Sequence, residues 1–266
     1  MLLYFSVTTK ITASDGTAGD QFSYSVAISG DYIIVGARGN DNAGSWSGSA
    51  YIFKRDGTEW TEQAKITASD GAEDDLFGTS VAISGDYAVV GADGDDDAGS
   101  NSGSAYIFKR YGTIWTEQAK ITASDGAAGD RFSDSVAISG DYVVVGAYRG
   151  DSAYIFKRYG TIWTEQAKIN ASDGAADDEF GDSVAISDDY VVVGAYGDDD
   201  AGPRSGSAYI YDIPDTTAPP LNITSFAPPS PVADTEGAAR TFRGHRKITY
   251  RNQFVSRTPE SLDNIE

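Results

Sequence analysis

"KITASDGAAGDRFSDSVAISGDYVVVGAY", residues 120–148, strings together an acidic loop, a short apolar run, a Gly-Asp turn and a second apolar run. The same words return along the chain. "KITASDG" begins at Lys10, Lys65 and Lys120, and "KINASDG" at Lys168, so the period is 55 residues twice and then 48. Repetition at such a period decides the architecture, because a unit too small to bury its own apolar face must stack on its neighbours.

Each unit reads as four short strands. In the second, residues 80–84 form a first strand, and Gly85-Asp86 makes the two-residue turn that hairpins favour. Residues 87–92 are almost continuously apolar, as in a strand covered on both faces. Residues 105–108 behave alike. The last strand, 115–121, puts Trp115, Ala119 and Ile121 on one side and Thr116, Gln118 and Lys120 on the other, the alternation of a half-exposed outer edge. Four-stranded antiparallel units with apolar inner strands describe an all-β protein, a β-propeller of four four-stranded blades, with an open solenoid as the rival. The segment "FSVTTKI" (5–11) aligns with the outer strand "WTEQAKI" (60–66), while the last unit lacks that strand after "SAYIYDI" (207–213). The N-terminal strand is therefore expected to complete the fourth blade and close the ring. Four blades lie at the small end for propellers, so a fragment of a larger ring, or a homodimer completing a ring of eight, is the alternative.

Phe77-Gly78 and Phe180-Gly181, with Phe22-Ser23 and Phe132-Ser133 in relaxed form, each precede a strand that ends in Gly-Ala at Gly36-Ala37, Gly91-Ala92, Gly146-Ala147 and Gly194-Ala195. This arrangement resembles the FG-GAP repeat of integrin α-subunit propellers and of many prokaryotic surface proteins, and the resemblance spans residues 10–211. It implies an adhesion or interaction platform at the cell surface or outside the cell. The calcium motif of integrin-like blades sits between the Phe-Gly and Gly-Ala strands; here that space holds only "ISGDY", so that site does not carry over to Asp31, Asp86 or Asp141.

Composition narrows the partners. A formal charge of −20 disfavours nucleic acid, which needs clustered Lys and Arg. No cysteine is present, so disulfides, thiolate metal sites and Cys nucleophiles are excluded. No apolar run approaches the roughly 18 residues of a membrane-spanning helix, and "MLLYFSVTTK" is too short and lacks the basic start of a secretory leader.

Alternating hairpins place the "ASDG" and "GDDDAG" loops together on one acidic face, the expected docking side for a protein or glycan ligand. Asp93, Asp95 and Asp97 follow the i, i+2, i+4 spacing of calcium loops, and Asp198 and Asp200 repeat part of it, which makes these five the candidate calcium ligands. A solvated turn is the competing account, since the glycine at the sixth position and the glutamate at the twelfth are missing. Trp46, alone in the loop "NAGSWSGS", is the candidate partner anchor. Trp60, Trp115 and Trp163 recur at equal positions and are expected to pack at blade edges. The single histidine, His245, lies outside the repeats, so Ser-His-Asp chemistry within them is impossible, and near-identical units argue against one catalytic centre. A carbohydrate-active or carbohydrate-binding propeller and a structural spacer are the alternatives. Residues 214–266 begin as a Pro/Thr-rich linker, turn basic between Arg240 and Arg257, and are expected to be disordered.

Overall fold

The computed structural model describes residues 9–214. Contacts divide the chain into Met1–Ala218 and Pro219–Glu266, and the described residues lie in the first unit. Most of the expected closing strand (5–11) and the tail from 215 onward, with His245, lie outside the described residues.

Four antiparallel sheets follow one another along the chain. The first blade comprises β1 (Val26–Ser29), β2 (Tyr32–Ala37), β3 (Ser49–Asp56) and β4 (Glu59–Ile66). The second comprises β5 (Val81–Ser84), β6 (Tyr87–Ala92), β7 (Ser104–Tyr111) and β8 (Ile114–Ile121), and the third β9 (Ser135–Ser139), β10 (Tyr142–Ala147), β11 (Ser152–Tyr159) and β12 (Ile162–Ile169). The fourth has three strands among the described residues, β13 (Phe180–Ile186), β14 (Tyr190–Ala195) and β15 (Ser207–Asp212). Sequence and structure agree on these elements to within a few residues, because the Val/Ile runs, with Gly-Asp turns in the first three blades, leave the hairpins one register.

Stacked blades make the core. Every residue of β6 is buried, as a strand covered on both sides requires. One cluster joins Ile34 and Ile52 of the first blade to Val81, Ile83 and Tyr106 of the second. Its counterpart joins Val89 and Ile107 to Val136, Val145 and Tyr154, and a third joins Val144 and Ile155 to Val184, Val193 and Tyr209. Each buried Val, Ile or aromatic stabilises the stack by about 1.5–3 kcal/mol. No core cluster among the described residues joins the first blade to the fourth.

One expectation is corrected. Trp115 and Ile121 do not share a side of β8: the register slips between Ile107 and Phe108, where Gln118 is the extra residue. A bulge of this kind turns the strand over. Trp115 therefore packs back on the first blade and Ile121 forward on the third. The same slip recurs in the first and third blades.

The Gly-Ala words are seats for the next blade. A Cβ on Gly36, Gly91 or Gly146 would stand 2.0, 2.2 or 1.9 Å from the carbonyl oxygen of Gly78, Ser133 or Gly181, the residue after the Phe of the following repeat. Into those same carbonyls the hydroxyls of Ser25, Ser80 and Ser135 donate, at 2.8, 2.6 and 2.9 Å. The seated residue has a φ of 98°, 77° or 103°, which favours glycine. Ser133 is tolerated because its hydroxyl accepts from the Ala92 amide (3.0 Å) and donates to the Ser104 carbonyl (2.6 Å). Gly91→Ala is expected to cost about 2–3 kcal/mol in chemical denaturation, because a methyl group cannot share space with the Ser133 carbonyl; an unchanged midpoint would refute the seat.

Candidate functional site on the acidic face

Backbone hydrogen bonds zip the β2–β3 loop to the entry loop of the second blade, from Asp74 N to Ser45 O (2.9 Å) and Leu76 N to Trp46 O (3.0 Å). Arg131 N to Asn101 O (3.1 Å) repeats the pattern between the second and third blades. The two kinds of acidic loop thus share one face, as the hairpin order dictates. At the other end the turn aspartates Asp31, Asp86 and Asp141 pair with Arg55, Arg110 and Arg158.

Within the second blade's acidic loops the cation is a side chain. The Lys120 ammonium, reaching from β8, donates to Asp70 Oδ2 (2.8 Å), Asp95 Oδ2 (2.9 Å) and Asp97. The Tyr106 hydroxyl lies 2.8 Å from Asp70 Oδ1 and 3.0 Å from Asp95 Oδ2. Burial alone would push the Lys120 ammonium down, but the three carboxylates outweigh it and hold it above the ordinary lysine range. Burial, then the Asp95 and Asp70 charges, push the Tyr106 phenol up. Lys65 with Asp15 (2.7 Å) and Lys168 with Asp125 (2.7 Å) repeat the pair in the first and third blades.

The candidate calcium ligands part company. Asp95 and Asp97 face Lys120, whereas Asp93 is buried at the inner edge, accepting from Thr79 Oγ1 (2.8 Å) and from Arg131 Nη1 of the next blade (2.7 Å). In the fourth blade the Tyr209 hydroxyl lies 2.9 Å from Asp173 Oδ1 and 3.1 Å from Asp198 Oδ2, and the Asp200 amide donates to Asp198 Oδ1 (3.1 Å). No described lysine reaches this group, and the charges of Asp198 and Asp173 push the Asp200 carboxyl up. Among the described residues no group of three or more His, Cys, Asp or Glu is placed to hold a metal ion.

A second cluster was missed in the sequence. Immediately before each Phe stand Gln21, Leu76, Arg131 and Glu179, all at φ between 54° and 62°. Two residues after each Phe stand Tyr24, Thr79, Asp134 and Asp182, and after each Gly-Ala stand Arg38, Asp93, Tyr148 and Tyr196. These positions converge on the innermost edge of the acidic face. Arg38 donates to Gln21 Oε1 (2.9 Å) with its guanidinium 3.7 Å from the Tyr24 ring centroid, and Arg131 crosses to Asp93. Burial, then the Asp93 and Asp182 charges, lift the Asp134 carboxyl to about 6 against the pull of Arg131 and Arg38. The signal was readable: at these positions charge changes sign between repeats, from Arg38 to Asp93 and from Arg131 to Glu179.

Comparison with known proteins settles the family. The FG-GAP repeat model matches residues 5–53, 60–108, 115–156 and 163–211. The chain belongs to the FG-GAP repeat family. Among solved structures it is similar to hydrazine synthase of Kuenenia stuttgartiensis, at 14% identity and TM-score 0.49 over 77% of this chain and 49% of that one. It is also similar to the N-terminal domain of Nup159, at 12% identity and TM-score 0.40 over 71% of this chain and 44% of that one. The chain thus spans about half the length of these structures or less. No curated protein matches it.

In FG-GAP terms, the Phe caps its blade and the following residue fills the preceding Gly-Ala seat. Phe77 meets Tyr106 and Phe108 edge-on, with centroids 5.4 and 6.0 Å apart. Trp115 and Trp163 pack between blades, each edge-on to Tyr32 or Tyr87 of the blade before (6.0 Å). Trp46 differs from them. It is 37% exposed and adopts φ 56°, where the equivalent loops carry Asn101 and Arg204.

Two outcomes are expected. Lys120→Met, which strands three carboxylates, should cost roughly 2 kcal/mol and make the melting temperature rise with added calcium, an effect absent in the parent; a calcium response equal in both would refute the lysine's role. Asp134 is favoured as the neutral acid in the fold, so its stabilising contribution is full below the ordinary value of 3.8 and is lost as pH rises through about 6. Asp134→Asn should therefore gain roughly 1–2 kcal/mol at neutral pH and almost nothing below about pH 4, as pH-dependent urea titration would measure; equal gains at both would contradict the assignment.

Proposed function

We propose that this FG-GAP chain is a non-catalytic interaction platform of the cell surface or extracellular space, which captures a protein or glycan on its acidic face. The reading rests on one observation: the inner edge of that face changes charge from repeat to repeat, at Arg38, Arg131, Asp134, Glu179 and Asp182. Uniform scaffolding with a varied rim is how repeat proteins present a binding surface. Trp46 supports it, because a large aromatic is held partly exposed in a loop whose counterparts carry the polar Asn101 and Arg204. At the second blade calcium is not required on this reading, since Lys120 and Arg131 already answer Asp95, Asp97 and Asp93.

Among the described residues no helix is long and apolar enough to cross a membrane. The second reading, a carbohydrate-active propeller, draws on the Asp134–Asp182 carboxylates alone.

The test is an array of immobilised glycans and proteins probed with the parent, Trp46→Asn and Asp134→Asn. The parent should bind and release ligand unaltered. Trp46→Asn should bind at least tenfold more weakly while melting no lower than the parent. Chemically altered ligand would replace the platform with an enzyme, and equal binding by all three would remove the acidic face as the docking site.

A further inference from the structure

The interface between successive blades occurs three times inside this chain, and its two halves also occur unmated. On the first blade the receiving half is bare: Val26 and Ile28 are 63% and 65% exposed, whereas their counterparts Val81 and Ile83, covered by the first blade, are 8% and 7% exposed. On the fourth blade the donating half is bare. Ile210 is 70% exposed, whereas the equivalent Ile52 and Ile107 are fully buried against the following blade.

Polar devices are split in the same way. Ser25, Ser80 and Ser135 each bond the carbonyl seated from the next blade, and Gly36, Gly91 and Gly146 make room for it. The fourth set, Ser183 and Gly194, faces no residue of another blade, while the matching residue at the other end is Ser23, already in the left-handed conformation at φ 71°. Lys65, Lys120 and Lys168 each pair with the acidic loop of their blade. The fourth loop, with Asp173, Asp198 and Asp200, has no described lysine, and the fourth lysine of the series, Lys10, is exposed beside the first blade.

We infer that two copies of this chain associate head to tail, the fourth blade of each donating to the first blade of the other, and so close one ring of eight blades. A single copy carries both halves at opposite ends of its row of blades, and a second copy carries the same halves in the order that mates them. Two interfaces related by a twofold axis then bury both apolar ends, seat Ser23 against Gly194 and bring Lys10 to the Asp173 group. Eight blades is within the range propellers adopt, and closure of a head-to-tail contact terminates growth.

Solution mass of the full chain tests this, with variants at sites exposed within one copy so that folding is spared. The parent should have twice the 28.1 kDa of one chain. Val26→Glu with Ile28→Glu, and Ile210→Glu, should each give a folded monomer, confirmed by an unchanged β-sheet circular dichroism signal. Mixing the Val26/Ile28 variant with the Ile210 variant should restore a one-to-one dimer, because one of the two interfaces then joins two unaltered faces. A monomeric parent, a dimer that survives the single-face variants, open polymers, or failure of the mixture to pair would each overturn the inference.

Discussion

The contact on which the structure depends is the seating of one blade's post-Phe carbonyl in the Gly-Ala seat of the blade before it. At 1.9–2.2 Å from where a side chain would begin, that carbonyl leaves room for glycine alone, and a serine hydroxyl fixes its direction. Apolar residues supply most of the free energy of stacking, yet they would tolerate sliding. The seat does not, so it fixes how far apart and in what register neighbouring sheets lie, and with them the acidic loops that cross from blade to blade.

From that register the electrostatics follow. Lys120 reaches Asp70, Asp95 and Asp97 because the bulge at Gln118 aims the end of β8 toward the acidic loops, and Arg131 reaches Asp93 because the next blade is close. A strongly acidic face is thereby made of clamped rather than mutually repelling carboxylates. The exposed ion pairs among them contribute little on their own, and the contribution rests with the buried members Asp93 and Asp95.

Much of this was legible in the sequence. The 55-residue repeat, the Gly-Asp turns and the Val/Ile runs of β6, β10 and β14 define blades without reference to any structure. The bulge was not legible, because no Gly or Pro marks Gln118 and a period-two reading carries Trp115 and Ile121 to the same side. Nor was the role of Lys120, which depends on a loop 50 residues away. Spacing grouped Asp93 with Asp95 and Asp97, but their surroundings divide them, since Asp93 is held by Thr79 and Arg131 and the other two by Lys120. The inner-edge residues beside the Phe and after the Gly-Ala lie 14–17 positions apart within a repeat and meet across blades, as Arg131 meets Asp93, so only the stacked fold brings them together.

A blade face is stable only when another blade covers it. Native-state hydrogen exchange, resolved by strand and repeated across a range of protein concentrations, measures this directly. Amides of β6 and β10 should be protected equally at every concentration, while those of β1, β14 and β15 should exchange faster in dilute solution and gain protection as concentration rises. Uniform protection of all four blades, independent of concentration, would contradict it.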